Sequence, residues 1–330
     1  MRLSLCMIVK DEAFFIEDSL AAAAPYVDEI VVVDTGSRDG TRDIAARYAD
    51  KVLDFVWIDD FSAARNTGLA AATGDWILVL DADERIAPED YPKLREAMVS
   101  TDFDGYYLTQ RNYSDDELQL DWIGVTVSDE WSKGWTGFTE NPILRLFRRD
   151  DTIAYEGSIH EIVDGTVAAV ARGKLDIPLH HYVDANPDRS RLDRASRYLV
   201  LMDRALSEQE DGRLFGIAGS TALYAAQDYT KAARYLRRAA ELGYEPFRSL
   251  EGAAEAAYRG GNFGEAQDIY RRLYDDGLRT PSLCLNLANL AVRSGDKPRA
   301  TMLLKECLSV GGMGPKTDET IRKNIEFLDS

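Results

Sequence analysis

The chain has only three cysteines, Cys6, Cys284 and Cys307, among 330 residues. So few, so scattered and odd in number, they exclude a disulfide framework and point to a reducing, cytoplasmic setting. Long apolar runs are missing as well. No stretch reaches the ~18 residues of a membrane span, so no transmembrane helix is expected. The nearest case, Leu3 to Val9 behind Arg2, is cut off by Lys10, Asp11 and Glu12 with no small-residue cleavage site. It reads as a first β-strand rather than a signal peptide. Positive charge is in deficit: 39 Lys and Arg stand against 57 Asp and Glu, a formal net charge of −18. Such a body repels a phosphate backbone and an anionic membrane face, so no nucleic acid partner is expected. Neither GxGxxG nor GxxxxGK[ST] occurs, which argues against a dinucleotide-binding Rossmann site or a P-loop ATPase. What is present is globular: 45% hydrophobic residues supply a sizeable core, and the length suggests about two domains.

The N-terminal part alternates strands with helices. Leu3 to Val9, Glu29 to Val33, Val52 to Trp57 and Trp76 to Leu80 are short apolar runs of the kind buried on both faces of a sheet. Between them, Ala13 to Ala24, Thr41 to Ala49 and Ser62 to Ala72 read as helices, with Gly74 as a C-cap of the third. This alternation predicts a mostly parallel, Rossmann-like α/β sheet. From about Asp102 to Tyr182 the pattern is irregular, with strands at Tyr106 to Thr109 and Ile143 to Phe147. A loop-like stretch, Asp115 to Phe138, carries Trp122, Trp131 and Trp135; with Phe138 these aromatics stack on a sugar or, the preferred reading, latch the loop.

After Asn186 and Pro187 the chain becomes rich in Ala, Leu and Arg at helical spacing, and it repeats. Ala232, Ala266 and Ala300 are 34 residues apart, and Gly243, Gly277 and Gly311 keep the same interval. Pro246, Pro281 and Pro315 close each unit with one slip. A period of 34 with small residues at a helix crossing is the tetratricopeptide signature. We therefore expect an α/β domain at 1–187, a linker helix at 188–212, and an all-α repeat domain at 213–330 ending in a capping helix.

Acidic residues collect where the strands end: Asp34 after the second, Asp59 and Asp60 after the third, and Asp81-Ala82-Asp83-Glu84 after the fourth. Ligands of open α/β sheets bind outside the carboxyl ends of the strands. Asp39 and Asp60 are read as turn and helix-cap residues, Asp34 and the Asp81 cluster as functional. Clustered carboxylates repel unless a cation lies among them, and a divalent ion with substrate phosphates suits such a site.

The ordered motifs Leu5-Cys6-Met7-Ile8-Val9-Lys10-Asp11-Glu12, Val33-Asp34-Thr35-Gly36-Ser37, Asp60-Phe61-Ser62-Ala63-Ala64-Arg65-Asn66, Thr73-Gly74-Asp75-Trp76 and Leu80-Asp81-Ala82-Asp83-Glu84 resemble the family 2 glycosyltransferases of the GT-A fold, the nucleotide-diphospho-sugar transferases. The resemblance covers roughly residues 1–182 and is nearest the subgroup with C-terminal tetratricopeptide repeats, which includes bacteriocin-peptide S-glycosyltransferases. It implies an inverting, metal-dependent hexosyl transfer from a UDP-sugar. Asp34 would accept a hydrogen bond from the base. Val9, Lys10 and Glu12 would border base and ribose, with Arg65 and Ala82 also on the nucleotide-sugar. Asp81 would lie near the ribose or a metal-bound water, and Asp83 would bind Mn2+ or Mg2+ directly. His181 is the further metal ligand this resemblance suggests, from a Leu179-His180-His181-Tyr182 element in which Val183 stands where Gly is usual; a buried His that fixes a loop by hydrogen bonds is the alternative for His181 and the preferred reading for His180.

An inverting transfer needs a base for the acceptor's proton. Glu161 and His160, expected just after a strand, are the candidates; Asp129, Glu130 and Glu140 are fallbacks, and an ion pair with Arg145, Arg148 or Arg149 is the structural alternative for Glu161. The acceptor is expected to be a peptide or protein gripped by the repeats, with homodimerisation as the repeats' other use. Two other readings are a nucleotidylyltransferase acting on a sugar phosphate and an inactive tetratricopeptide scaffold. The first wants a Gly-rich basic loop where the chain has Lys10-Asp11-Glu12-Ala13; the second is opposed by intact Asp34, Asp81 and Asp83.

Overall fold

The computed structural model describes residues 1–99, 103–117, 119, 121–125, 130–182, 185–186, 190–311 and 313–329. Asp129, Val183 and Pro187 lie outside the described residues. The chain forms two compact units: Met1–Tyr113 with Glu140–Asn186, and Ser114–Thr139 with Pro187–Ser330.

The first unit is built on a mixed sheet. Strands β1 (Leu3–Val9), β2 (Glu29–Asp34), β3 (Lys51–Asp54) and β4 (Trp76–Val79) alternate with helices α1 (Ile16–Ala23), α2 (Thr41–Ala45) and α3 (Phe61–Ala71). Beyond them come β5 (Glu84–Ile86), α4 (Tyr91–Val99), β6 (Gly105–Ser114), β7 (Ile123–Gly124), β8 (Gly137–Arg148) and β9 (Arg172–His181). The order across the sheet is β3-β2-β1-β4-β8-β6-β9-β5, with β7 paired to β8. β1 runs parallel to both β2 and β4, so the carboxyl ends of three central strands share one edge. Val9 pairs with Asp34, and Cys6 with Val79. These strands are continuous apolar runs because both faces are covered: every residue of β2 and β4 is buried.

Several elements depart from the expectation. β3 stops at Asp54, short of Trp57, because it is the edge strand and pairs only with β2. β5 and β9 were not anticipated. All three residues of β5, Glu84, Arg85 and Ile86, are buried, and Arg145 and Asp18 meet the two charges. No strand precedes His160: Tyr155 to Ile162 is a loop closed by one antiparallel bridge between Glu156 and Ile162. Gly74 is not a left-handed cap. Its glycine is required by close approach, since a Cβ there would lie 2.6 Å from Ser4 Oγ and 2.8 Å from Ser4 N. Asp60 does cap α3, accepting from Ala63 N at 3.0 Å, and Asp39 accepts from Thr41 N and Ala13 N as a turn residue should.

The second unit holds helices α5 (Arg191–Glu208) and α6 (Gly212–Ser220), a π-helical turn Thr221–Ala226, and α7 (Tyr229–Glu241), α8 (Pro246–Arg259), α9 (Phe263–Asp275), α10 (Pro281–Arg293), α11 (Lys297–Val310) and α12 (Pro315–Asp329). α7, α9 and α11 begin at 34-residue intervals. Each is capped by the same device, the side chain of Asp228, Asn262 or Asp296 accepting from a backbone N–H three residues on. Ala232, Ala266 and Ala300 are wholly buried where neighbouring helices approach. The prolines open the partner helices α8, α10 and α12 rather than closing a helix, as suits a residue with no N–H to donate. In the 114–139 segment Trp122 is buried as the latch, its Nε1 donating to Ser114 O at 2.9 Å. Its ring fills the space a side chain at Gly137 would need.

Glu29 ties the base of the sheet together. It accepts from Ser4 Oγ, Thr73 N and Lys51 Nζ. Burial opposes its ionisation, but these donors outweigh it and hold the carboxyl at about 2, below the ordinary 4.5. The resulting stability, about 3 kcal/mol, is fully present above pH 4.5 and is lost as pH falls through 2. Urea unfolding of Glu29→Gln against the parent chain should show a deficit at pH 7 that shrinks steadily between pH 4.5 and pH 2. A deficit independent of pH would contradict this account.

Candidate functional site

The candidate site is assembled on the carboxyl edge of β2, β1 and β4. Asp34, at the end of β2, is buried. Its Oδ1 accepts from Gly36 N, Ser37 N and Ser37 Oγ at 3.2, 2.9 and 2.7 Å, and its Oδ2 lies 3.8 Å from Arg42 Nη1. Val9 closes the same corner, its carbonyl accepting from Thr35 N at 2.9 Å and Thr35 Oγ1 at 3.1 Å. Lys10 is exposed beyond it, and Glu12 N donates to Thr41 Oγ1 at 2.7 Å.

The Asp81 cluster does contain cations, but they are guanidinium groups. Arg65 Nη2 donates to Asp81 Oδ1 at 2.8 Å, and Arg145 Nη2 donates to Asp81 Oδ2 at 2.7 Å. The same Arg145 nitrogen reaches Glu84 Oε1 at 2.8 Å, while Gln110 Nε2 donates to that oxygen and Asp81 N to Glu84 Oε2. At the other end Arg65 Nε pairs with Glu161. Glu161, Arg65, Asp81, Arg145 and Glu84 thus form one chain of alternating charge. Burial disfavours an ionised Asp81, yet Arg145 and Arg65 hold it far below the usual carboxylate range. Burial pushes Glu84 up. Each oxygen of Asp81 accepts from one guanidinium, which leaves lone pairs on both.

Asp83 is placed differently. β5 and β9 pair antiparallel with Glu84 opposite His181, and Tyr182 N donates to Asp83 O at 3.0 Å. This register brings His181 Nε2 within 3.5 Å of Asp83 Oδ2. On the other side β6 pairs with β9, Asn112 opposite His181, and Asn112 Oδ1 meets His181 Nδ1 at 2.6 Å. The imidazole is therefore oriented from both flanks. Burial works against its charge, but Asp83 wins and His181 is raised to about 9. His180 faces away into the core, with Tyr113 OH 2.7 Å from its Nδ1. Among the described residues no cluster of three or more acidic, His or Cys groups is arranged to hold a metal. Asp83 and His181 are a two-residue donor set, an oxygen and a nitrogen, of the kind completed by phosphate oxygens and water.

Residues 4–156 match the model of glycosyl transferase family 2. That match covers a little under half of the chain and takes in strands β1 to β8. The chain is 40% identical over 170 residues to a TPR repeat-containing protein of Synechococcus elongatus, covering 51% of this chain and 37% of that protein. It is 27% identical over 157 residues to the SPbeta prophage-derived glycosyltransferase SunS of Bacillus subtilis, covering 47% and 33%. The chain thus spans about a third of the length of these curated relatives. In shape it is similar to glucosyl-3-phosphoglycerate synthase from Mycobacterium tuberculosis, at 18% identity and a TM-score of 0.42 over 62% of this chain and 80% of that one, a likeness too slight to transfer ligands. A mostly parallel α/β sheet followed by a helical region with a 34-residue period is the architecture the sequence led us to expect.

Of the expected base candidates, Glu161 is paired with Arg65 rather than with Arg145, Arg148 or Arg149. His160 adjoins it with a left-handed backbone, φ +49°. Glu140 is bound to Arg111 at 3.1 Å, and Glu130 is exposed in a short 3-10 turn. The sequence reasoning named Arg145 only as a possible partner of Glu161 and missed Asn112. Both lie on strands recognised only in part, and neither belongs to a local motif. Arg145→Met should cost about 3–5 kcal/mol, because it leaves buried Glu84 without its counter-charge and Asp81 with Arg65 alone. Denaturant unfolding reads this directly, and Arg145→Lys should recover part of the loss.

Proposed function

We propose that the chain is a metal-dependent, inverting glycosyltransferase that moves a hexose from a UDP-sugar to an acceptor, with a peptide or protein as the acceptor class. The observation that carries the reading is the Asp83–His181 pair, 3.5 Å apart beside a doubly bridged Asp81, at the carboxyl edge of a family 2 domain. The donor set fits a divalent ion, Mn2+ or Mg2+, with Asp83 and His181 as its holders. When bound, the ion supplies positive charge to the departing nucleoside diphosphate. Asp34 Oδ2 faces Arg42 and is this reading's acceptor for the base N–H, while Val9, Lys10 and Glu12 border the ribose and Ala82 the sugar side. Arg65 and Arg145 keep Asp81 ionised and oriented. His160 and Glu161 are the groups proposed to take the acceptor's proton.

In this reading residues 1–187 transfer the sugar, 188–212 link, and 213–330 present the acceptor or a second copy of the chain. Three buried free thiols, Cys6, Cys284 and Cys307, fit a reducing cytoplasm. No helix among the described residues is long and apolar enough to cross a membrane.

Thermal melting tests the donor site. UDP with Mn2+ should raise the melting temperature more than either alone, because a ligand held by the native state stabilises it by mass action, about 2.7 kcal/mol at a hundred times Kd. Asp83→Ala should abolish the metal-dependent part. No shift with UDP and metal together would end the reading. Separately, Glu161→Gln should lose turnover while keeping the UDP shift; unchanged turnover would leave Glu161 only as the partner of Arg65.

A further inference from the structure

One motif residue has no part in the donor site as described. Asn66 lies on α3, one residue after Arg65, and it grips the backbone of Tyr155 from both sides. Tyr155 N donates to Asn66 Oδ1 at 2.8 Å, and Asn66 Nδ2 donates to Tyr155 O at 3.0 Å. A carboxamide is suited to this: it offers one acceptor and one donor at the spacing of a peptide group. Two more bonds continue the seam. Phe61 N, at the start of α3, donates to Ser158 O at 2.9 Å, and Arg65 Nε pairs with Glu161. The loop is closed at its base by Glu156 N to Ile162 O at 2.9 Å and Ile162 N to Glu156 O at 3.1 Å. Ile159 is buried beneath it.

Within this closed loop sits a strained residue. His160 has φ +49°, in the left-handed region where a side chain is disfavoured, and Gly157 has φ +93°. Such backbone persists only where its surroundings over-determine it, and it concentrates at functional sites. Here the over-determination is visible as bonds from one helix to Tyr155, Ser158 and Glu161.

We propose that Asn66 is a positioning residue: by clamping Tyr155 to α3 it holds the 155–162 loop in the strained form that presents His160 and Glu161 to the acceptor. The inference rests on the glycosyltransferase reading for its functional half and on hydrogen bonding alone for its structural half. The two halves can fail separately.

Hydrogen exchange on the full chain reads the clamp without any ligand. Asn66→Ala should speed exchange at the Glu156 and Ile162 amides at least about tenfold, with the amides of Leu5 and Val31 unchanged. Equal exchange in both would overturn the clamp. The functional half uses UDP-glucose hydrolysis in Mn2+ and the UDP melting shift as probes. Asn66→Ala should lower kcat severalfold with KM for UDP-glucose and the UDP shift retained, and Asn66→Asp, which keeps the acceptor for Tyr155 N, should fall between. A loss confined to KM would overturn the positioning role. His160→Gly gives a second arm. Glycine takes this backbone without strain, so the melting temperature should rise by about 2–4 °C while turnover falls. A stabler variant with full turnover would remove both the strained backbone and the His160 imidazole from the reaction and overturn the role proposed for the loop. If the parent chain shows no UDP shift, it is the glycosyltransferase reading that fails, and the exchange result still decides the clamp.

Discussion

The double bridging of Asp81 by Arg65 and Arg145 is the constraint on which the candidate site depends. A carboxylate at the end of a buried strand is stable only with its charge balanced nearby, and here two guanidinium groups from different elements, α3 and β8, converge on its two oxygens. Because Arg145 also holds Glu84, and Arg65 also holds Glu161, the helix, two strands and the 155–162 loop are fixed relative to one another through one charged chain. Removing either arginine leaves a carboxylate at the end of the chain, Glu161 or Glu84, without its guanidinium partner.

That rigidity divides the acidic cluster into two kinds of residue. Asp81 and Glu84 are satisfied within the protein. Asp83 instead meets an imidazole, which is a partner of a different type: neutral His is a metal ligand, and a guanidinium is not. The separation between Asp81-type and Asp83-type carboxylates, two positions apart in sequence, comes from β5 pairing with β9 immediately after the cluster. The antiparallel register places His181 opposite Glu84 and so next to Asp83.

In the second unit the same physical requirement recurs in periodic form. Helices α7, α9 and α11 each need their first N–H groups satisfied, and Asp228, Asn262 and Asp296 meet that need at the repeat interval. The first repeat shows how the pattern tolerates drift. Gln227 adopts φ +56° where the later copies have Gly261 and Gly295, so tertiary packing carries a local cost that glycine would avoid.

Much of this was legible in the amino-acid order. Short apolar runs ending in Asp34 and Asp81, and a 34-residue recurrence of Ala and Gly, are local or periodic signals, and they identified the α/β sheet, the helical repeats and the acidic edge. The motifs around Arg65 and Asn66 were visible too, though not what they grip. What the linear order could not show is pairing at long separation. Arg145 reaches Asp81 across 64 residues and Asn66 reaches Tyr155 across 89, while β5 and β9 join segments nearly a hundred positions apart. Two adjacent charges such as Glu84 and Arg85 carry no local sign of a buried strand until their counter-charges are known. Those come from strands whose order in the sheet, unlike their hydrophobicity, is decided only when the chain packs.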